Sequence, residues 1–195
     1  MANSILILGL SKQKDLIKYF KKSNNKVIVV DNKKKKNVIY SDLKNVKETF
    51  SKVKKNNITH VITDQSDISL NAYGIISKKL KLNAIPYSTI KKFSDKLICR
   101  KKLFKEPKLR KYLPKFFEIT KNFEKNFRSN KKYYIIKPRN SQGSREVFKF
   151  RNLNKIKKVI NKLNLKNYII EDFIEGIDMA VEGFVENKKF YLLQI

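Results

Sequence analysis

Three short, almost wholly apolar segments, each closed by Gly or Asp, constrain what this chain can fold into more than any other feature. They are Ser4-Ile5-Leu6-Ile7-Leu8-Gly9, Lys26-Val27-Ile28-Val29-Val30-Asp31 and His60-Val61-Ile62-Thr63-Asp64. Runs of aliphatic residues without polar alternation suit strands buried on both faces, as in a parallel sheet covered by helices. Between them lie segments with helical spacing: Asp15 to Phe20, Val46 to Val53, and a stretch through Leu70, Tyr73, Ile75 and Ile76. Val38-Ile39-Tyr40 reads as a further short strand. The alternation predicts a doubly wound α/β domain over residues 1–88.

Gly9 stands where a dinucleotide-binding loop would begin, but Leu-Ser-Lys-Gln-Lys follows it. Without the further glycines, backbone cannot pack closely against a pyrophosphate. Asp31 could hold a ribose hydroxyl, as in a nicotinamide-dependent oxidoreductase, yet an acid closing a second strand is common without a ligand. A scaffold role is the better reading of this domain.

Pro86 breaks the pattern, and a Lys- and Phe-rich helix is expected from Ser88 to Lys96 and on from Leu97 to Phe104. Pro107 and Pro114 frame a stretch feeding a strand at Phe116 to Ile119. Further strands are expected at Tyr133 to Pro138, Tyr168 to Ile174, Met179 to Val185 and Lys189 to Ile195, with an amphipathic helix from Leu153 to Leu163. This half reads α+β.

The net charge of +29 invites a nucleic-acid hypothesis. However, only six of the 46 basic residues are Arg, at positions 100, 110, 128, 139, 145 and 151. Arg makes the bidentate contacts that read phosphates and bases, so its scarcity counts against a specific nucleic-acid partner. The lysines spread over nearly the whole chain, as solvated faces do. Six of the 17 acids, by contrast, fall between Glu171 and Glu186. Nothing approaches the about 20 apolar residues that span a bilayer, and no charged leader precedes the first strand. Cys99 is the single cysteine, which leaves no internal disulfide. The plain reading is a cytoplasmic protein with no membrane partner.

Two stretches carry chemistry. In Ile135-Ile136-Lys137-Pro138-Arg139-Asn140-Ser141-Gln142-Gly143-Ser144-Arg145 an apolar strand delivers a Lys at its end, and a small polar loop follows. Backbone N–H groups of such a loop can turn toward anionic oxygens, with Lys137 and Arg145 as charges for phosphate. In Ile169-Ile170-Glu171-Asp172-Phe173-Ile174-Glu175-Gly176-Ile177-Asp178 a strand again ends in acids, which can accept from an adenine amine or ribose hydroxyls. Taken singly, each reads equally well as an ordinary surface loop or an acidic hairpin.

Together they resemble the ATP-grasp superfamily, in particular enzymes like the large subunit of carbamoyl phosphate synthetase. Phe93-Ser94-Asp95-Lys96-Leu97-Ile98-Cys99-Arg100 resembles the family's helix ahead of the nucleotide site. The resemblance implies a Rossmann-like preATP-grasp domain over 1–88 and an incomplete α+β ATP-grasp domain over 89–195. It implies an ATP-dependent ligase that activates a small carboxylate as an acyl phosphate for attack by an amine.

By that resemblance Lys137 meets the phosphates, with Lys96 or Arg100 as a second basic group. Gln142, Gly143 and Ser144 close over them. Glu171 meets the adenine amine, the backbone of Asp172, Phe173 and Ile174 reads the ring edge, and Asp178 takes the ribose. Ile135 and Ile170 form apolar walls. Glu146 stands where the family's loop commonly has another Gly. The cofactors implied are ATP and Mg²⁺, with the metal-binding acids and catalytic strand expected beyond Ile195, so that no metal ligand is assigned within the chain.

Overall fold

Leu6, Ile7 and Leu8 are wholly buried because β1 (Ser4–Leu8) runs through the inside of a four-stranded parallel sheet. The computed structural model describes residues 3–9, 14–63, 67–120, 132–141, 143–151 and 167–195. The sheet has the order β3-β2-β1-β4, with β2 at Lys26–Asp31, β3 at Ile39–Tyr40 and β4 at His60–Thr63. Alternate side chains of β1 serve two separate cores, as the two-residue period of a strand requires. Leu6 and Leu8 join Ile28 and Val30 against Val46 and Val53 of α2 (Val46–Val53) and Ala72 and Ile76 of α3 (Asp67–Lys79). Ile5, Ile7 and Val29 point the other way, toward Ile17 and Phe20 of α1 (Lys14–Lys22). Each such side chain contributes about 1.5–3 kcal/mol by leaving water, which is why a continuous apolar run, and not an alternating one, was needed here.

Asp31 is buried at the end of β2, and its Oδ1 accepts from the Lys33 amide at 2.8 Å. That carboxylate is part of the turn after the strand.

The Lys- and Phe-rich segment forms two helices, α4 (Tyr87–Ser94) and α5 (Lys96–Phe104), where the sequence suggests near-continuity. Asp95 makes the break. Its extended backbone leaves the helix, and its side chain accepts from the amides of Leu97 and Ile98 at the start of α5. Asp competes for its own neighbours' amides in this way and so favours caps over helix interiors. A one-turn helix, α6 (Pro107–Arg110), follows with Pro in its first turn.

The second sheet is antiparallel, in the order β5-β8-β6-β7, with β5 at Phe116–Glu118, β6 at Tyr134–Pro138, β7 at Phe148–Phe150 and β8 at Tyr168–Asp172. One face carries Tyr134, Ile136, Tyr168 and Ile170 into a core with Ile119. The three residues of β7 are too short a run to stand out in the sequence. The helix expected over 153–163 lies outside the described residues. A separate hairpin, β9 (Glu182–Glu186) with β10 (Lys189–Gln194), follows; its strand begins three residues later than the alternation from Met179 suggests. Every residue of this hairpin is exposed, including Phe184 and Tyr191, whose rings stack at 4.9 Å.

Candidate functional site

The register of the second sheet decides which side chains can meet. Ile135 lies opposite Glu171 on β8 and opposite Lys149 on β7, while Lys137 lies opposite Ile169. Residues directly opposite one another share a face, so Ile135, Lys137, Lys149 and Glu171 stand on the face away from the Ile136–Ile170 core. Ile170 pairs with Ile136 and is fully buried there. The expectation that Ile170 walls a ligand is thus corrected: it neighbours Glu171 in sequence and must point the opposite way. Ile135 remains on the open face.

Helix α5 covers one end of that face and delivers Arg100. Its Nε donates to Glu171 Oε1 at 2.8 Å, while Lys137 Nζ lies 2.5 Å from Glu171 Oε2. The Glu171 side chain is 5% exposed, so its charge is taken from water and answered by two cations. The structure therefore places both Arg100 and Lys137 on Glu171. The amide of Asp172 donates to Lys115 O at 2.9 Å and that of Phe173 to Tyr133 O at 3.0 Å. The amides of two of the three residues whose backbone was expected to read a ring edge, Asp172 and Phe173, are thus engaged within the fold.

Beside this cluster lies a cleft of about 410 Å³. Lys96, Ile135, Lys137, Ser144, Arg145 and Asp178 line it. Gly143 also borders it, at φ +70°, followed by Ser144 at +54° and Glu146 at +56°. Left-handed backbone costs a non-glycine residue about 1–2 kcal/mol, so something must hold Glu146. Tyr168 does: its hydroxyl donates to Glu146 Oε2 at 2.5 Å. Glu146 thus adopts the conformation a Gly would take, fastened by a side-chain bond that Gly lacks. Gln142 lies outside the described residues. Phe173 and Ile174 border a second cavity of about 480 Å³ on the same sheet face, with Tyr133 and Glu175. Lys149 Nζ sits 3.5 Å from the centre of the Phe173 ring there.

The bond from Glu146, together with burial and the nearby negative charge, pushes the Tyr168 phenol up to about 12. A raised phenol favours the folded state while it stays protonated, so this stability is full below the ordinary value near 10 and is lost between about 10 and about 12. Tyr168 is expected to ionise late in an ultraviolet titration. Glu146→Gly should lower it toward the ordinary value, because the bond and the neighbouring charge are gone while only the effect of burial remains.

Sequence reasoning missed two residues that position Lys96. Arg139 Nη2 donates to Asp95 Oδ2 at 2.7 Å, and Arg139 Nε also reaches both carboxylate oxygens. The Lys96 amide donates to Arg139 O at 2.9 Å, and Lys96 Nζ to Ser141 O at 2.6 Å. The start of α5 is so fixed to the turn after β6. An Asp just before a helix was a readable cap signal; its partner 44 residues on was not. Burial alone would raise the Asp95 carboxyl, but Arg139 and the amides of Ile98 and Leu97 outweigh it and hold it below the usual range. A depressed carboxyl stabilises the fold above the ordinary value near 4 and loses this as pH falls through its lower folded value. Urea midpoints are therefore expected to show the gap between wild type and Asp95→Asn closing as pH drops from about 5 to about 2.

The family model for the ATP-grasp domain matches residues 93–195. The chain belongs to the ATP-grasp family. Solved structures agree in fold. L-amino acid ligase from Bacillus licheniformis superposes with a TM-score of 0.75 at 16% identity, covering 97% of this chain and 49% of that one. Phosphoribosylglycinamide synthetase from Anaerococcus prevotii gives 0.66 at 18%, covering 98% and 51%. N5-carboxyaminoimidazole synthetase from Staphylococcus aureus, complexed with ADP, gives 0.67 at 14%, covering 89% and 48%. The chain spans about half the length of these ATP-grasp structures. No curated protein sequence matches it significantly. Among the described residues, no group of three His, Cys, Asp or Glu side chains could hold a metal ion, and no helix is long and apolar enough to cross a membrane.

Proposed function

We propose that this chain carries the nucleotide-binding part of an ATP-dependent ligase that activates a carboxylate as an acyl phosphate for attack by an amine. Residues 1–88 serve as the scaffold lobe and 89–195 as the nucleotide lobe. The observation that carries the reading is the cleft where Lys96, Lys137 and Arg145 converge beside the left-handed turn at Gly143 and Ser144. Three cations and a backbone turned at consecutive residues suit a polyphosphate. Asp178, at the cleft edge, suits ribose hydroxyls. Kinship with carbamoyl phosphate synthetase rests on the residue motifs alone.

Phosphoryl transfer depends on positioning and on neutralising the charge that develops. Lys137 and Lys96 hold the phosphates, and the loop at Gln142–Ser144 excludes water from the acyl phosphate, which would otherwise hydrolyse. Glu171 orients Lys137, a role distinct from simply awaiting the adenine amine. Among the described residues no three carboxylate, His or Cys side chains gather to hold Mg²⁺.

Calorimetry with ATP, NAD⁺ and a single-stranded oligonucleotide at two salt concentrations tests this. Saturable ATP binding at one site, with no NAD⁺ binding, is expected. A nucleic-acid protein would instead bind the oligonucleotide with steep salt dependence and ignore ATP.

A further inference from the structure

A third cleft, of about 480 Å³, lies between α3 and α4, lined by none of the residues of the two already described. It exists because α4 presses against α3 at Gly74. A Cβ at that position would come within 2.7 Å of Ile90 Cδ1 and 3.0 Å of Tyr87 Cδ2. One turn further along α3, Ser77 forms part of the cleft wall. Ser77 is 1% exposed and its Oγ has no hydrogen-bond partner among the described residues. Buried hydroxyls are nearly always paired, and an unpaired one calls for an explanation.

The rim supplies charge of one sign. Lys78 and Lys91 line the cleft, no acid does, and neither lysine has a carboxylate within salt-bridge distance among the described residues. The adjacent Lys79 is accounted for differently, lying 5.0 Å over the Phe50 ring. The remaining wall is mainly apolar, from Leu82, Ala84, Ile85 and Pro86, with Tyr87 and Ser88 beside them. A cleft of this size with a mainly apolar lining and a few converging polar groups is how small-molecule sites are built.

We propose that the α3–α4 cleft binds a small organic carboxylate with an apolar body. The carboxylate sits between Lys78 and Lys91 and draws a hydrogen bond from Ser77, and the body lies on Leu82, Ile85 and Pro86. Two lysines with no Arg offer point charges, which suit a monoanion more than a bidentate phosphate clamp. The site is independent of nucleotide binding elsewhere in the chain.

Benzoate and its neutral counterpart benzamide are the probes, titrated at constant ionic strength while backbone amide resonances are followed. Benzoate is expected to give saturable shifts at Gly74, Ser77, Lys78, Tyr87 and Lys91, with benzamide at least tenfold weaker. Lys78→Gln with Lys91→Gln should weaken benzoate tenfold or more; both positions are exposed, so the fold is safe. Ser77→Ala should weaken it about three- to tenfold, as one hydrogen bond would, without lowering the unfolding midpoint. Equal binding of benzamide overturns the proposal. So do unsaturable shifts scattered over the lysine-rich surface, or unchanged benzoate affinity in the double variant.

Discussion

Lys137→Ala is expected to weaken ATP binding about ten- to a hundredfold, the loss of one hydrogen bond to a charged group, while the chain stays folded. The fold survives because Arg100 still answers Glu171 when Lys137 is gone. Arg100→Ala separates the two roles. The guanidinium is bonded to Glu171 and does not line the cleft, so its loss should lower stability more than it lowers ATP affinity. Equilibrium binding and urea unfolding of the two variants, side by side, check this. If Arg100→Ala lost as much affinity as Lys137→Ala with no loss of stability, Arg100 would be the phosphate ligand and the assignment would reverse.

Glu171→Gln should be strongly destabilising for a change that keeps the side chain's shape. The side chain is 5% exposed and answers two cations whose side chains are 27% and 20% exposed. Breaking a fully buried pair costs about 3–5 kcal/mol. Water reaches both cations here, so about 2–3 kcal/mol is the fitting figure. For a chain of this length that lowers the melting temperature by about 4–12 °C. The amide keeps the carboxylate's shape, so the loss reports charge and not packing. Arg100→Ala combined with Glu171→Gln should cost less than the two changes summed, since they break the same pair.

The parallel sheet was legible because its two inner strands, β1 and β2, are buried on both faces. Ser4 to Leu8 and Lys26 to Asp31 have no other comfortable conformation as apolar runs flanked by helical patterns. The Lys137–Pro138 strand end was legible for a local reason as well, since Pro stops a ladder. What escaped notice depends on partners distant in sequence. Glu171 draws its cations from residues 71 and 34 positions away on two other elements, and no local pattern announces that. Ile170 was misplaced although the rule that places it is simple. Residues 168 to 172 form a strand buried throughout, so burial could not say which face each side chain takes. Only the register with Ile136 settles it. Glu146 illustrates a third kind of gap. Its departure from the expected Gly was visible, but the Tyr168 hydroxyl that supports its left-handed backbone lies 22 residues on.

The central claim is that ATP binds on the open face of the second sheet, and photolabelling with 8-azido-ATP followed by peptide mapping tests it most directly. The account predicts labelled peptides within residues 132–151 and 168–180, with labelling suppressed by excess ATP and reduced in Lys137→Ala. Label confined to residues 1–88, or spread along the lysines and indifferent to competing ATP, would contradict it.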